Sequence, residues 1–167
     1  MSHLVIREAE PADFPALRAL FRGTVLTVNR RDYTCEDVED WAACAERVTP
    51  TAGPMRDQHC LVAEDTAGLI VGFASVNVEG YLHMLYVHRD FQRQGVAAAL
   101  YGRVEAWARA HGARGMTAHV SLTAEPFFSK QGFRLVKRQQ SKARHRYLAN
   151  CVMDKALSSP DTPDAPA

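Results

Sequence analysis

The segment from residue 82 to residue 101 constrains the fold more than any other part of the chain. Residues 82–87 form an apolar run typical of a strand, and residues 98–101 begin an alanine-rich helix. Gly95 lies just before the helix, so backbone N–H groups can point outward there without a Cβ in the way. The helix dipole adds about half a positive charge at that end. The segment therefore predicts a seat for phosphate or pyrophosphate between a strand and a helix.

The rest of the chain combines hairpins with short helices. Strands are predicted at residues 3–7, 60–63, 69–78, 81–87, 116–120, 133–138 and 147–153. Helices are predicted at residues 11–23, 34–48, 95–110 and 124–131, with Gly23 near the end of the first. This order predicts an α/β (α+β) architecture, with a central mixed, mostly antiparallel sheet flanked by helices.

Three separate segments resemble the GNAT acyltransferase superfamily. The loop before the third helix matches the pattern Q/R-x-x-G-x-G/A at Gln92, Gly95 and Ala97, with alanine in place of the second glycine. Ile6-Arg7 followed by Asp13 resembles the start of the fold, and the run S-x-x-A-x-x-F-F-x-x-x-G-F over residues 121–133 resembles its late segment. The resemblance covers residues 4–155 in the expected order. It implies one GNAT N-acetyltransferase domain at residues 1–157. The sequence of residues 158–167 itself predicts a disordered tail.

The resemblance implies acetyl-CoA as the acyl donor, with no metal. The main chain of Leu85 and Val87 is expected to pair with the pantetheine arm in a gap beside the strand that ends near Val120. The expected pyrophosphate site is the loop and helix start: Gln92, Arg93, Gln94, Gly95, Val96, Ala97 and Ala98. Ser121 and Phe128 are expected near the thioester.

His83 is the predicted proton acceptor for the amine, and Tyr81 is a candidate to line the same proton path, although packing also explains this tyrosine. Strict alternation along the strand places Tyr81, His83, Leu85 and Val87 on one face. An imidazole with a pKa near 6.5 can accept a proton at neutral pH, and the strand resembles the histidine-bearing strand of arylalkylamine N-acetyltransferases. A packed, structural histidine is the alternative, and Glu79 is a second candidate base.

The proton donor stays open, because Phe128 stands where many family members carry a tyrosine hydroxyl. Ser121, Tyr147, Cys151 and water are the alternatives, since a thiolate can also leave without an acid. The predicted acceptor pocket involves Tyr33 and Trp41, with Thr34 beside them, although packing in the core also explains Trp41. The resemblance favours a small-molecule primary amine as acceptor. A protein or peptide amine, or a non-catalytic acyl-CoA-binding module, remains an alternative.

The composition limits the kinds of partner and the cellular compartment that are expected for this chain. The chain has 167 residues and a net charge of +1, so bulk charge indicates neither a nucleic-acid partner nor a membrane surface. Its four cysteines are scattered, which argues against a zinc site or a disulfide scaffold and favours the cytoplasm. Buried structural thiols are predicted for all four. The family resemblance also allows a homodimer.

Overall fold

A seven-stranded sheet forms the centre of the computed structural model, which describes residues 3–51 and 55–158. The strand order is β1-β2-β3-β4-β5-β7-β6, and every neighbouring pair is antiparallel except β4 with β5. The strands are β1 (Val5–Glu8), β2 (His59–Glu64), β3 (Ile70–Val76), β4 (Tyr81–Val87), β5 (Gly115–Ser121), β6 (Arg134–Lys142) and β7 (Tyr147–Ala156). The predicted fold class is confirmed.

Within residues 3–51 and 55–158, four α-helices accompany the sheet: α1 (Phe14–Thr27), α2 (Cys35–Ala42), α3 (Val96–Ala110) and α4 (Glu125–Lys130). The predicted end of the first helix at Gly23 is wrong, because Thr24 and Val25 are buried against the sheet and continue the helix. That burial offsets the cost of about 1 kcal/mol for glycine inside a helix. The second predicted helix ends earlier as an α-helix and continues as a 3₁₀ turn at Ala43–Arg47.

The helices cover the sheet from two sides and divide the core. One buried cluster joins α3 to the sheet through residues such as Val71, Leu100 and Val104. The other joins α1 and α2 to β2, β3 and β4. α3 lies unusually close to the sheet at Gly72, where a Cβ would stand 2.9 Å from side-chain carbons of Val96 and Leu100. Glycine at this position therefore fixes where α3 begins.

β4 and β5 are joined only at their first residues and then separate. The register pairs Tyr81 with Thr117 and Leu82 with Ala118, and it stops there. The turn before β4 is pinned to β5 at Gly80, whose φ is +88° and whose Cβ would fall 1.9 Å from the carbonyl oxygen of Gly115. Only glycine satisfies both the positive φ and this close approach. The two strands thus leave a common anchor and open a gap between them.

The hairpin between β6 and β7 is fastened to α2. The carboxylate of Asp40 accepts hydrogen bonds from the backbone N–H groups of Arg144, His145 and Arg146 at 2.9–3.1 Å. Arg146 also pairs with Asp37 at 2.7 Å. These contacts hold the hairpin tip beside the segment between α1 and α2. The predicted disorder at residues 158–167 lies, apart from Ser158, outside the described residues.

Candidate active site

A cavity of about 980 Å³ fills the gap between β4 and β5. Its walls come from the end of α1 and the segment after it, from β4, from the loop and first turn of α3, and from the end of β5 with α4. The separation of the two strands creates this space, because each strand keeps its other neighbour in the sheet. The cavity therefore connects the predicted phosphate loop with the predicted catalytic strand.

The β4 backbone offers hydrogen-bonding groups to this gap. His88 donates its N–H to Val71 on β3 at 2.8 Å. Because hydrogen bonding alternates along an antiparallel strand, the N–H and C=O groups of Leu85 and Val87 point away from β3 and toward the gap. The carbonyl of Val87 already accepts from the Thr24 hydroxyl and the Gln92 side-chain amide, each at 2.7 Å. Leu85 thus presents both backbone groups, whereas Val87 presents its N–H.

The start of α3 is an open, positive helix end. Gly95 has a φ of +83°, and space around its Cβ position is empty to 4 Å. The first turn of α3 carries no acidic residue, and no side chain caps it. By contrast, α2 begins with a Thr34 cap and with Glu36 and Asp37 in its first turn. The uncapped N–H groups of α3 and the dipole therefore remain available for an anion at the mouth of the cavity.

The loop before α3 holds its shape through contacts of its own. Arg93 has a φ of +58°, which costs a non-glycine residue about 1–2 kcal/mol. Gln92 acts within the loop, since its amide is bound to Val87. Gln94 is exposed and donates its side-chain amide to the carbonyl of Asp90 at 3.3 Å, so it does not line the cavity. Arg93, Gly95, Val96, Ala97 and Ala98 do line it.

A bulge in β4 changes which side chains share a face. Val76 pairs with Leu82 and Ser75 pairs with Met84, so His83 is an extra residue on its strand. Leu82 and Leu85 both belong to the α3-side core although they are three residues apart. The prediction that Tyr81 and His83 share a face with Leu85 and Val87 is therefore wrong, because the bulge breaks the alternation.

The bulge places His83 in a small aromatic cluster. The Tyr81 ring lies 5.8 Å from the His83 ring and 5.7 Å from the ring of His119 on β5. His119 points away from the α3-side core, since its neighbours Ala118 and Val120 are buried there. His83 and His119 line the cavity, whereas Tyr81 lies behind them. Burial lowers the pKa of His83, and the nearby His119 lowers it further, so this site favours the neutral form of the His83 imidazole.

Sequence reasoning overlooked His119. Its exposed side chain alternates with buried Ala118 and Val120, a pattern that fits an ordinary strand with one solvated face. Only the spatial neighbourhood of β4 and β5 distinguishes it. The local sequence around it carries no motif that could have found it.

The far wall of the cavity is built by the end of β5 and by α4. Ser121 lines the cavity, and its hydroxyl oxygen accepts the N–H of Ala124 at 3.1 Å, which leaves the hydroxyl proton free to be donated. Phe128 is buried and also lines the cavity, with its ring 5.0 Å from that of Phe133. The side chains of Tyr147, Cys151 and Glu79 do not line it.

The predicted acceptor residues differ in their positions. Trp41 lines the cavity. Tyr33 stands behind it, edge to face at 5.5 Å, and its hydroxyl accepts the N–H of Leu122 at 3.0 Å and donates to the carbonyl of Ala149 at 2.6 Å. Thr34 caps α2 by accepting the N–H of Asp37. Tyr33 thus ties the segment after α1 to the ends of β5 and β7.

The residues that the structure describes contain no group of three or more His, Cys, Asp or Glu side chains arranged to hold a metal ion. Within the same part of the chain, no helix combines the length and the apolar character that crossing a bilayer requires.

Comparison with known proteins identifies the family. The model of the acetyltransferase (GNAT) domain matches residues 29–149. An uncharacterized N-acetyltransferase of Escherichia coli (strain K12), YafP, is 31% identical over 153 residues, which cover 92% of this chain and 96% of the relative.

Solved structures are similar over nearly the whole chain. A GCN5-related N-acetyltransferase from Rhodopseudomonas palustris has a TM-score of 0.87 and 32% sequence identity, covering 94% of this chain and 98% of its own. The PaiA N-acetyltransferase of Thermoplasma acidophilum, solved in complex with coenzyme A, has a TM-score of 0.69 at 16% identity and covers 93% and 99%. At that identity the second likeness shows the fold alone. From the family model and the relatives above 30% identity, the chain belongs to the GNAT superfamily of N-acetyltransferases.

Proposed function

We propose that the protein transfers an acetyl group from acetyl-CoA directly to the primary amine of a small molecule. The observation that carries this proposal is the gap between β4 and β5, which joins an open helix end to a partly buried histidine in one cavity. A cosubstrate that carries a pyrophosphate at one end and a thioester at the other fits such a path.

The residues along the gap fit acetyl-CoA in three respects. The N–H groups at the start of α3, from Val96 to Ala98, supply an anion site without a competing carboxylate. The backbone groups of Leu85 and the N–H of Val87 can pair with the amides of the pantetheine arm as an added strand would. The open space at Gly95 lets the phosphates approach the backbone closely.

The chemical step needs a neutral amine, a stabilised carbonyl oxygen and a leaving thiolate. His83 accepts the proton from the acceptor ammonium, because a pKa lowered by burial and by His119 favours the unprotonated imidazole that this step needs. A backbone N–H of β4 faces the carbonyl oxygen, and Ser121 keeps a hydroxyl proton that it can donate. Phe128 supplies only packing against the thioester end of the gap.

The acceptor side of the cavity favours a small amine. The hairpin between β6 and β7 is clamped to α2 by Asp40 and Asp37. Tyr33 fastens the segment after α1 to the adjoining strand ends, with Trp41 on the cavity wall. These contacts restrain the hairpin between β6 and β7 and the segment after α1, which surround the acceptor side of the cavity. A long extended peptide therefore has less room there than a compact amine.

Turnover with a defined panel of acceptors tests the proposal. Free coenzyme A would be measured after incubation with acetyl-CoA and an arylalkylamine, a polyamine, an amino sugar, a peptide with a free N-terminus or a lysine peptide. Acetylation of one of the first three supports the proposal. Faster turnover of a peptide would assign a protein acceptor, and tight CoA binding without any turnover would indicate a non-catalytic module. The predicted homodimer and cytoplasmic location stay predictions.

A further inference from the structure

Two imidazoles stand at the fork where β4 and β5 separate. The last paired residues are Leu82 on β4 and Ala118 on β5, and the next residue on each strand is a histidine. His83 and His119 are therefore the first residues beyond the fork on each side. This placement follows from the register and does not depend on side-chain rotamers.

The two histidines differ in their exposure to solvent. His83 is partly buried, and His119 is exposed, yet both line the same cavity. The Tyr81 ring packs against both at almost equal distance, 5.8 Å and 5.7 Å. The side-chain amide of Gln139 reaches to 3.5 Å from Nδ1 of His119. The pair thus leads from the interior of the cavity toward water.

A base that takes a proton inside a cavity must also release it. We propose that His119 is a second proton-transfer residue, which receives through water the proton that His83 removes from the acceptor ammonium and then releases it to solvent. The N–H bond of the ammonium breaks, its electron pair stays on nitrogen for attack on the thioester, and the proton leaves by way of His83 and His119. This inference rests on the proposed function, because it supplies the exit for that proton.

Other charged groups line the same cavity and share its electrostatic field. They are Arg31 and Asp32 from the segment after α1, Arg93 from the loop before α3, and Lys130 from α4, with Tyr81 behind the two histidines. The group that acts on the pKa of His83 is none of these; it is His119 on β5, the strand that pairs with β4 at the fork. A change at His119 therefore alters the titration of His83 directly.

The first test measures turnover of His119→Ala and His119→Gln as a function of buffer concentration, with the amine of the panel that the wild type acetylates fastest. We expect kcat in dilute buffer to fall by about 10-fold, less than the ~10²–10⁴-fold typical of a direct general base because water substitutes in part. Concentrated imidazole buffer restores it, because the buffer takes over proton release. If His119 had only a structural role, the kcat of its variants would not depend on the buffer concentration.

The second test follows the acid limb of kcat/KM against pH. Without the neighbouring imidazole, protonation of His83 becomes easier, so the limb moves to higher pH in His119→Gln. The matched control is His111→Gln, an exposed histidine stacked on Trp107 at 3.9 Å and outside the cavity, which leaves both readouts unchanged. Thermal melting and CoA affinity confirm that each variant is folded.

The outcomes separate this inference from the proposed function. If the wild type acetylates no amine, both are overturned. If the wild type is active and folded His119 variants match its kcat at every buffer concentration and its pH profile, the role of His119 alone is overturned. A loss of kcat that imidazole does not restore and that leaves the acid limb in place also overturns it, because it indicates a structural role.

Discussion

Gly95 offers the sharpest test of the anion site, because its substitution separates strain from charge. Its φ of +83° costs any residue with a Cβ about 1–2 kcal/mol, while the space around the Cβ is empty. Gly95→Ala should therefore lower the melting temperature by about 2–8 °C, at about 2–4 °C per kcal/mol for a domain of this size. Gly95→Glu bears the same strain, and the positive helix end offsets part of it by about 0.3–1 kcal/mol.

The two variants should rank in the opposite order for their affinity for coenzyme A, because Gly95→Glu, the less destabilising one, should weaken binding more. A carboxylate about 4 Å from one phosphate charge adds about 1 kcal/mol of repulsion in bulk water and about 4 kcal/mol at an effective dielectric constant near 20. At about 1.4 kcal/mol per tenfold, Kd rises by about 5-fold to several hundred-fold. The carboxylate introduced by Gly95→Glu would also occupy the N–H groups that the pyrophosphate needs. Gly95→Ala, which adds no charge, should weaken binding much less.

Calorimetric titration with coenzyme A, paired with thermal melting, measures both quantities. Gly112→Ala is the matched control, since its φ of +87° is similar, the space around its Cβ position is also empty to 4 Å, and it lies outside the cavity. We expect it to cost about 1–2 kcal/mol in stability from strain alone. Where that variant still folds, it should bind coenzyme A with little change. Unchanged affinity in folded Gly95→Glu would refute the placement of the pyrophosphate at α3.

Three further predictions concern catalysis and pH. His83→Ala should lower kcat at neutral pH by about 10²–10⁴-fold and change the pH profile, and an unchanged profile would leave His83 with a structural role. Phe128→Tyr should preserve or raise turnover. Ser129→Ala should leave turnover near that of the wild type, because Ser129 is exposed and outside the cavity wall. Loss of activity in Ser129→Ala with CoA binding intact would contradict the α4 assignment. Burial lowers the pKa of His59. The folded state therefore binds fewer protons than the unfolded state, and the free energy of unfolding falls as pH drops below about 6.5. His59→Gln should flatten that decline in melting experiments, and an unaltered slope would contradict it.

The sequence predicts the elements well because their signals are local. Every predicted strand and helix is present, and β4 and the end of α3 have the predicted bounds. The strand, loop and helix around Gly95 are where the sequence predicted them, whereas the phosphate site in that loop stays a prediction. The predicted N-cap at Thr34 is also confirmed, since a threonine before two acidic residues satisfies the helix end in an obvious way.

The features that the sequence does not predict depend on pairing between distant segments. The bulge at His83 arises from the register of β4 against β3, so strict alternation gave the wrong face. His119 is placed by the fork between β4 and β5, where Leu82 pairs with Ala118 although the two are far apart in sequence. The prediction of four buried thiols is confirmed for Cys44 and Cys151, whereas Cys60 is only partly buried. It is wrong for Cys35, which is exposed at the start of α2.

We propose that backbone groups bind the cosubstrate and that side chains bind the acceptor. This difference explains why the chain can depart from the family pattern at some positions of the site. In the proposed function the cosubstrate binds backbone groups: the N–H and C=O of Leu85, the N–H of Val87 and the N–H groups in the first turn of α3. These groups do not depend on the identity of the side chain, so under that proposal alanine at position 97 and phenylalanine at position 128 leave them in place. The proposed acceptor, by contrast, would meet side chains brought together by the bulge, the fork and the clamped hairpin. We therefore expect acceptor choice to depend on tertiary contacts around Trp41 and His83, and we expect sequence changes there to change the substrate.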